Sequence, residues 1–396
     1  MLSLLLSLCF SLKPVILIPG TYASTLTMAA KDVNLEWYCP KNVQRNVVWV
    51  NEKYFIPPLY NCVIQWVTNV YDAKNKKAAD YPGTEFDVLD FGGLDGVKSI
   101  DSFTPFNFSV IPYYNKIIEV FEKNGYVPRR TLFGAPIDWR VGIAGQKEYF
   151  PKLKKLVEDA YQMNNNQKVV IIGHSFGAFA AHYFGASAMD QAWVTKYIDH
   201  MMLLAPSFAG SGEAAEFAWT KSVHKYITIK TKHLSKAIES MGAVHVHFPN
   251  FEINGNKAVM IGPDGVNYTA RDFPDLLIKH GRITGDNIEL MKLNIPYISK
   301  IPDQPLARTT IVYNSRHETP SGFKLIGDWS SEKVEPIHSG GDGVVLSDGI
   351  DEFCRRYSSS KLNCHNLNEP SNIGRHFRMI LNEGIVQKIY EISQSE

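Results

Sequence analysis

Five residues of the 396-residue chain, Gly173-His174-Ser175-Phe176-Gly177, carry the clearest chemical signal. They follow the apolar run Val169-Val170-Ile171-Ile172 directly and open a small-residue stretch, Ala178 to Tyr183, that reads as a helix. A bare Gly-x-Ser-x-Gly pattern is weak. A strand before it and a helix after it make it a sharp turn that presents a serine hydroxyl as a nucleophile at the end of a sheet. Gly173 and Gly177 relieve the clashes of so tight a bend, and the helix N-terminus favours developing negative charge. The competing reading is a glycine-rich turn with an incidental serine.

A serine hydroxyl attacks poorly unless a base takes its proton and a carboxylate orients that base. In this strand-turn-helix setting the chain order is serine, acid, histidine. Asp342 lies in Gly340-Gly341-Asp342-Gly343, a glycine-rich loop after a predicted strand, and His376 precedes the last helical pattern. Order and loop context select them over Asp328, Asp348, His338 and His365. The oxyanion is expected on two backbone N–H groups, that of Phe176 and that of Thr21 in the turn after the first strand. Thr21 contributes its main chain, so its side chain is free to vary. A plain β-turn at Pro19-Gly20 would use the same residues.

The elements that must hold these residues are legible as runs. Val15–Ile18, Val169–Ile172, Met201–Leu204 and Thr310–Tyr313 are short continuous apolar segments, the pattern of strands buried on both faces. Between them Ile117, Ile118, Val120 and Phe121 share a helix closed by Gly125, and Phe150, Leu153, Leu156, Val157 and Tyr161 recur at helical spacing. Ile385, Val386, Ile389 and Tyr390 form the last helix. Strands alternating with helices predict an α/β fold, a mainly parallel sheet with helices on both faces. Residues 13–35, 72–206 and 306–396 are assigned to this core. Two regions break the rhythm. Residues 36–71 are an aromatic-rich excursion that contains two of the cysteines. Residues 207–305 are far longer than a connection of roughly 4–6 residues and read as an inserted cap.

Composition narrows the classes of function. The chain is 45% apolar and 20% charged, and its 41 Lys plus Arg nearly balance 40 Asp plus Glu, so no nucleic-acid footprint is expected. Residues 1–12 (MLSLLLSLCFSL) read as a secretory signal; as a helix they would rise only about 18 Å, too short to span a bilayer. A buried first strand that starts early is the alternative. With Cys9 in that segment, four cysteines remain, and the simplest pairing over short gaps is Cys39–Cys62 and Cys354–Cys364. No CxxC or HxxxH spacing points to a metal, and no cofactor is expected. Sequons at Asn107 and Asn267 are compatible with a secretory route to a lysosome-like compartment or the cell exterior.

Taken in order, these motifs resemble the lecithin:cholesterol acyltransferase family, which includes the lysosomal phospholipase that also transfers acyl groups. The resemblance runs from Pro14–Gly20 through Cys39, Trp49 and Cys62, then Gly134-Ala135-Pro136-Ile137-Asp138-Trp139-Arg140, the serine turn, Asn267–Phe273, the Gly-Asp-Gly loop and His376. The turn has Gly173 and Phe176 where the family more often has Ala and Met. The resemblance implies an α/β-hydrolase fold, a mobile lid within the 207–305 insertion, and a disulfide-closed membrane-binding loop in the excursion. Trp49, Phe55, Ile56 and Leu59 are its expected lipid contacts.

The resulting expectation is a monomeric, serine-dependent lipid acyl hydrolase or O-acyltransferase acting at a phospholipid membrane or lipoprotein surface. Ser175, His376 and Asp342 would pass a fatty acyl group from a phospholipid to water or to a lipid hydroxyl. A short-chain carboxylesterase and a non-catalytic lipid carrier are the alternatives.

Overall fold

The computed structural model describes residues 12–54, 56–101, 111–222 and 232–395. Residues 1–11 of the proposed signal (residues 1–12), Phe55 and the sequon at Asn107 lie outside the described residues.

Six strands form one parallel sheet: β1 (Val15–Ile18), β2 (Leu132–Gly134), β3 (Val169–His174), β4 (Ile198–Leu204), β5 (Arg308–Tyr313) and β6 (Leu362–Asn366). Their spatial order is β6-β5-β4-β3-β1-β2. Side chains alternate across a strand, so continuous apolar runs supply two cores at once. Ile16, Ile171 and Leu203 enter one buried cluster, while Val15, Leu17, Val170, Ile172 and Met202 enter the other. Helix α1 (Asn115–Lys123) and the final helix α5 (Glu383–Gln394) cover the second face through Phe121, Val386 and Ile389. Helix α2 (Tyr149–Met163) and helix α3 (Phe176–Tyr183) cover the first through Leu153, Val157, Phe179 and Ala180.

The four expected strands are present, and β2 and β6 are additions. β2 is three residues long and ends in glycine, while β6 is the edge strand on the opposite side, where Asn363 and His365 face outward. Neither presents an apolar run.

Three further pieces surround the sheet. Strand Leu26–Ala30 lies between Val43–Trp49 and Thr84–Val88 in a small antiparallel sheet. The Cys39–Cys62 disulfide ties this sheet to helix Tyr60–Trp66, over a core of Met28, Val48 and Trp66. Between β4 and β5 the chain forms helices at Gly212–Thr220, Lys232–Ser240, Gly242–Val246 and Asn287–Ile298, among shorter segments. Between β5 and β6, strands His317–Leu325 and Val334–Gly341 pair antiparallel and deliver Asp342 at their end. Helix α4 (Ser347–Arg356) follows, and Cys354–Cys364 fastens it to β6. Both disulfides have the expected pairing. Among the described residues no helix is long and apolar enough to cross a membrane.

Candidate active site

Ser175 stands where β3 gives way to α3, with φ 58° and ψ −124°. A non-glycine residue in that region is strained by roughly 1–3 kcal/mol, which the surroundings must hold in place. They do so at both ends of the residue. The Ser175 N–H donates to the carbonyl of Leu204 (2.8 Å), and its own carbonyl accepts from Ala178 (3.0 Å) and Phe179 (3.1 Å). Glycines make the bend possible. A Cβ on Gly173 would lie 2.6 Å from the Gly177 carbonyl oxygen, and one on Gly20 would lie 2.9 Å from Ser175 Cβ. The turn after β1 is therefore packed directly on the serine.

His376 and Asp342 meet twice. The imidazole Nδ1 is 2.7 Å from Asp342 Oδ2, and the His376 N–H donates to the Asp342 carbonyl (3.0 Å). Asp342 Oδ1 accepts from the N–H groups of Val344 (3.0 Å) and Val345 (2.8 Å). Asp342 and His376 are each 2% exposed and Ser175 is 8% exposed. The His376 ring lies 4.5 Å from that of His174, the residue before the serine. The structure thus joins Asp342 to His376 and sets the His376 ring against the residue that precedes Ser175. The competitors lie elsewhere: His338 and His365 are exposed, Asp348 pairs with Lys257, and Asp328 accepts from Ser330.

Among the described residues, neither the Thr21 N–H nor the Phe176 N–H has an acceptor. Phe176 follows the serine directly at the start of α3, and Thr21 follows Gly20, whose turn packs on the serine. The turn carrying Thr21 is clamped. Gly20 N–H donates to Tyr113 Oη (2.9 Å), Trp49 Nε1–H donates to the Tyr22 carbonyl (2.8 Å), and the Tyr22 ring stands edge-on to Trp139 at 4.7 Å. Arg140, buried beside Trp139, is paired with both Asp80 and Asp138 (2.7 Å each).

Trp49, expected at a lipid surface, is half-buried with its indole turned into this turn. An indole N–H needs an acceptor, and the Tyr22 carbonyl supplies it. Ile56 is 63% exposed, Leu59 is half-buried, and Trp37 is 88% exposed. Asn267 is exposed.

Sequence reasoning passed over Tyr113 and His174. Burial, and secondarily the nearby His376, holds the His174 imidazole well below its usual range; burial raises the Tyr113 phenol. The position of His174 inside the serine motif was the available signal. Tyr113 had none. Among the described residues no group of three His, Cys, Asp or Glu side chains is placed to hold a metal ion.

Six parallel strands, a strained serine after β3 and an acid–histidine pair contributed from beyond β5 define an α/β-hydrolase. A chain in the crystal structure of the Tle4–Tli4 complex shares the fold, with a TM-score of 0.58 over 97% of this chain and 98% of that one at 11% identity. The lecithin:cholesterol acyltransferase family model matches residues 44–275, more than half of the chain, and the chain belongs to that family. It is 29% identical to the mouse (Mus musculus) phosphatidylcholine-sterol acyltransferase over 96% of this chain and 85% of the relative. The chicken (Gallus gallus) counterpart is 25% identical over 93% and 87%. The dog (Canis lupus familiaris) lysosomal phospholipase A and acyltransferase is 25% identical over 84% and 80%.

Proposed function

We propose that this chain is a serine-dependent lipid acyl hydrolase and O-acyltransferase. The observation that carries the reading is the His376–Asp342 pair held against the residue that precedes a strained serine, in a chain of this family. Ser175 Oγ attacks the carbonyl carbon of a phospholipid acyl ester while His376 Nε2 takes its proton. Asp342 holds the hydrogen on Nδ1 and stabilises the resulting imidazolium. The Thr21 and Phe176 N–H groups receive the oxyanion. As the tetrahedral intermediate collapses, the bond to the lysolipid oxygen breaks and that oxygen takes the proton from His376. The acyl group, now on Ser175, is then attacked by water or a lipid hydroxyl, with His376 again as base. The products are a free fatty acid or a new ester.

Trp37 and Ile56 are the residues suited to an interfacial role, since they are large, apolar and exposed on the disulfide-closed excursion. The 207–305 insertion is proposed as the cap that shapes the acyl track. Two disulfides and the lysosomal relative support a secretory route, to a lysosome-like compartment or the exterior. The test is mass analysis of products from phospholipid vesicles, with and without a sterol or ceramide acceptor, for the wild type and Ser175→Ala. Loss of fatty acid release and of acceptor ester in a folded Ser175→Ala supports the reading; substantial turnover by that variant rejects it. Activity confined to short monomeric esters would instead mark a carboxylesterase.

A further inference from the structure

A line of hydrogen bonds joins the oxyanion turn to the base, through two side chains that have no part in the steps above. Gly20 N–H donates to Tyr113 Oη (2.9 Å), Tyr113 Oη lies 2.5 Å from His174 Nδ1, and His174 Nε2 lies 3.1 Å from the His376 carbonyl oxygen. Donor counting fixes the direction of each bond. A carbonyl can only accept, so His174 Nε2 carries the ring hydrogen. The ring is buried and uncharged, so Nδ1 is a lone pair and Tyr113 donates its one hydrogen to it. The phenol oxygen remains free to accept from Gly20. Every group in the line is satisfied in one arrangement only.

That arrangement bears on catalysis because the His174 and His376 rings are 4.5 Å apart. In the proposed mechanism His376 becomes cationic in each half-reaction, and a second cation at that distance would oppose it. The titratable groups facing this pair are Tyr113, Tyr114, Asp342 behind His376, and His247, whose ring senses His376 from the insertion. Among them only Tyr113 bonds the His174 ring, and it closes the one site where His174 could take a proton.

We infer that Tyr113 and His174 are positioning residues of this site: Tyr113 keeps His174 uncharged in its Nε2–H form, and His174 fixes the main chain of the base. Through Gly20 the same phenol sets the turn that offers the Thr21 N–H. The inference rests on the assignment of Ser175, Asp342 and His376 made above.

Two measurements test it. The first needs no variant: nitrogen NMR of 15N-histidine-labelled wild-type protein should show His174 neutral, with hydrogen on Nε2, from about pH 8 to pH 4.5. A His174 that titrates in that interval, or carries its hydrogen on Nδ1, overturns the inference. This readout stands whether or not Ser175→Ala abolishes turnover, so failure of the mechanism and failure of the inference are distinguishable. The second is the pH profile of phospholipid-vesicle hydrolysis. Tyr113→Phe should lower kcat about tenfold at neutral pH, the order expected for one lost buried hydrogen bond, with KM within about twofold. It should also lose further activity on the acid side, where His174 can now protonate. Adding His174→Gln keeps a donor for the His376 carbonyl but cannot titrate, and should abolish that extra acid-side loss. A merely structural tyrosine gives a loss equal at every pH, which overturns the inference, as does a profile that superimposes on the wild type.

Discussion

Replacing Asp342 by Asn probes the proton path with the smallest change of shape. The carboxylate is held at three points: Oδ1 under the N–H groups of Val344 (3.0 Å) and Val345 (2.8 Å), Oδ2 against His376 Nδ1 (2.7 Å). An asparagine that keeps its carbonyl oxygen beneath the two backbone donors must turn its NH2 group toward His376. Nδ1 then faces a donor and has to accept, which moves the ring hydrogen to Nε2. With Nε2 already protonated, the imidazole cannot take the proton of Ser175. The expected loss in kcat is about 10⁴-fold, the size this change has in serine hydrolases that use such a triad. It corresponds to about 5 kcal/mol in the barrier. The stability cost should be smaller, about 1.5–3 kcal/mol for a weakened charge-assisted bond in an otherwise filled space. Fatty acid release from saturating phospholipid vesicles, measured beside circular dichroism and a thermal melt, separates the two effects. A folded Asp342→Asn protein within tenfold of wild-type kcat would refute the reasoning.

Gly20→Ala places a methyl group 2.8 Å from Tyr113 Oη and 2.9 Å from Ser175 Cβ. It should reduce turnover at least about 100-fold by displacing the oxyanion turn, with about 1–3 kcal/mol lost in urea unfolding; wild-type turnover would contradict the packing described. Burial holds His182 and His200 at a pKa of about 4 and His245 at about 3, against 6.5 unfolded. The unfolded chain gains these protons first as pH falls, so stability is full above about pH 6.5. It drains towards pH 4 by up to about 1.4 kcal/mol per ring per pH unit. A thermal midpoint that stays level from pH 7 to pH 4.5 would count against this. Trp37→Ser combined with Ile56→Ser should weaken binding to phospholipid vesicles by about 10–100-fold and leave hydrolysis of a soluble short ester unchanged. Equal vesicle binding in a flotation assay would remove these residues from the interface.

What could be read from the chain depended on whether the physics was local. A strand buried on both faces must be apolar at every position, so Val15–Ile18 and Val169–Ile172 announced themselves; the outward-facing Asn363 and His365 of β6 hid that strand. Ser175, Asp342 and His376 were selected by loop context and order; the fold joins Asp342 to His376 and sets that imidazole beside His174, next in the chain to Ser175. Tyr113 was invisible because its meaning arises only when the fold brings it to Gly20, 93 residues away, and to His174, 61 residues away. Trp49 shows the complementary failure. An aromatic-rich stretch suggested outward-facing rings, but the need of one indole N–H for an acceptor turned that ring inward.

The layout of the parts along the polypeptide sets when a newly made molecule becomes competent. The nucleophile turn is assembled from residues up to Leu204, whereas the expected base lies 202 residues beyond His174. Met379 and Ile380, just after His376, are buried with Val386 and Ile389 of α5 and Phe121 of α1, so the base loop is anchored only once the last helix has docked. By the mechanism proposed above, a partly folded chain in which that helix has not docked holds the serine without its base.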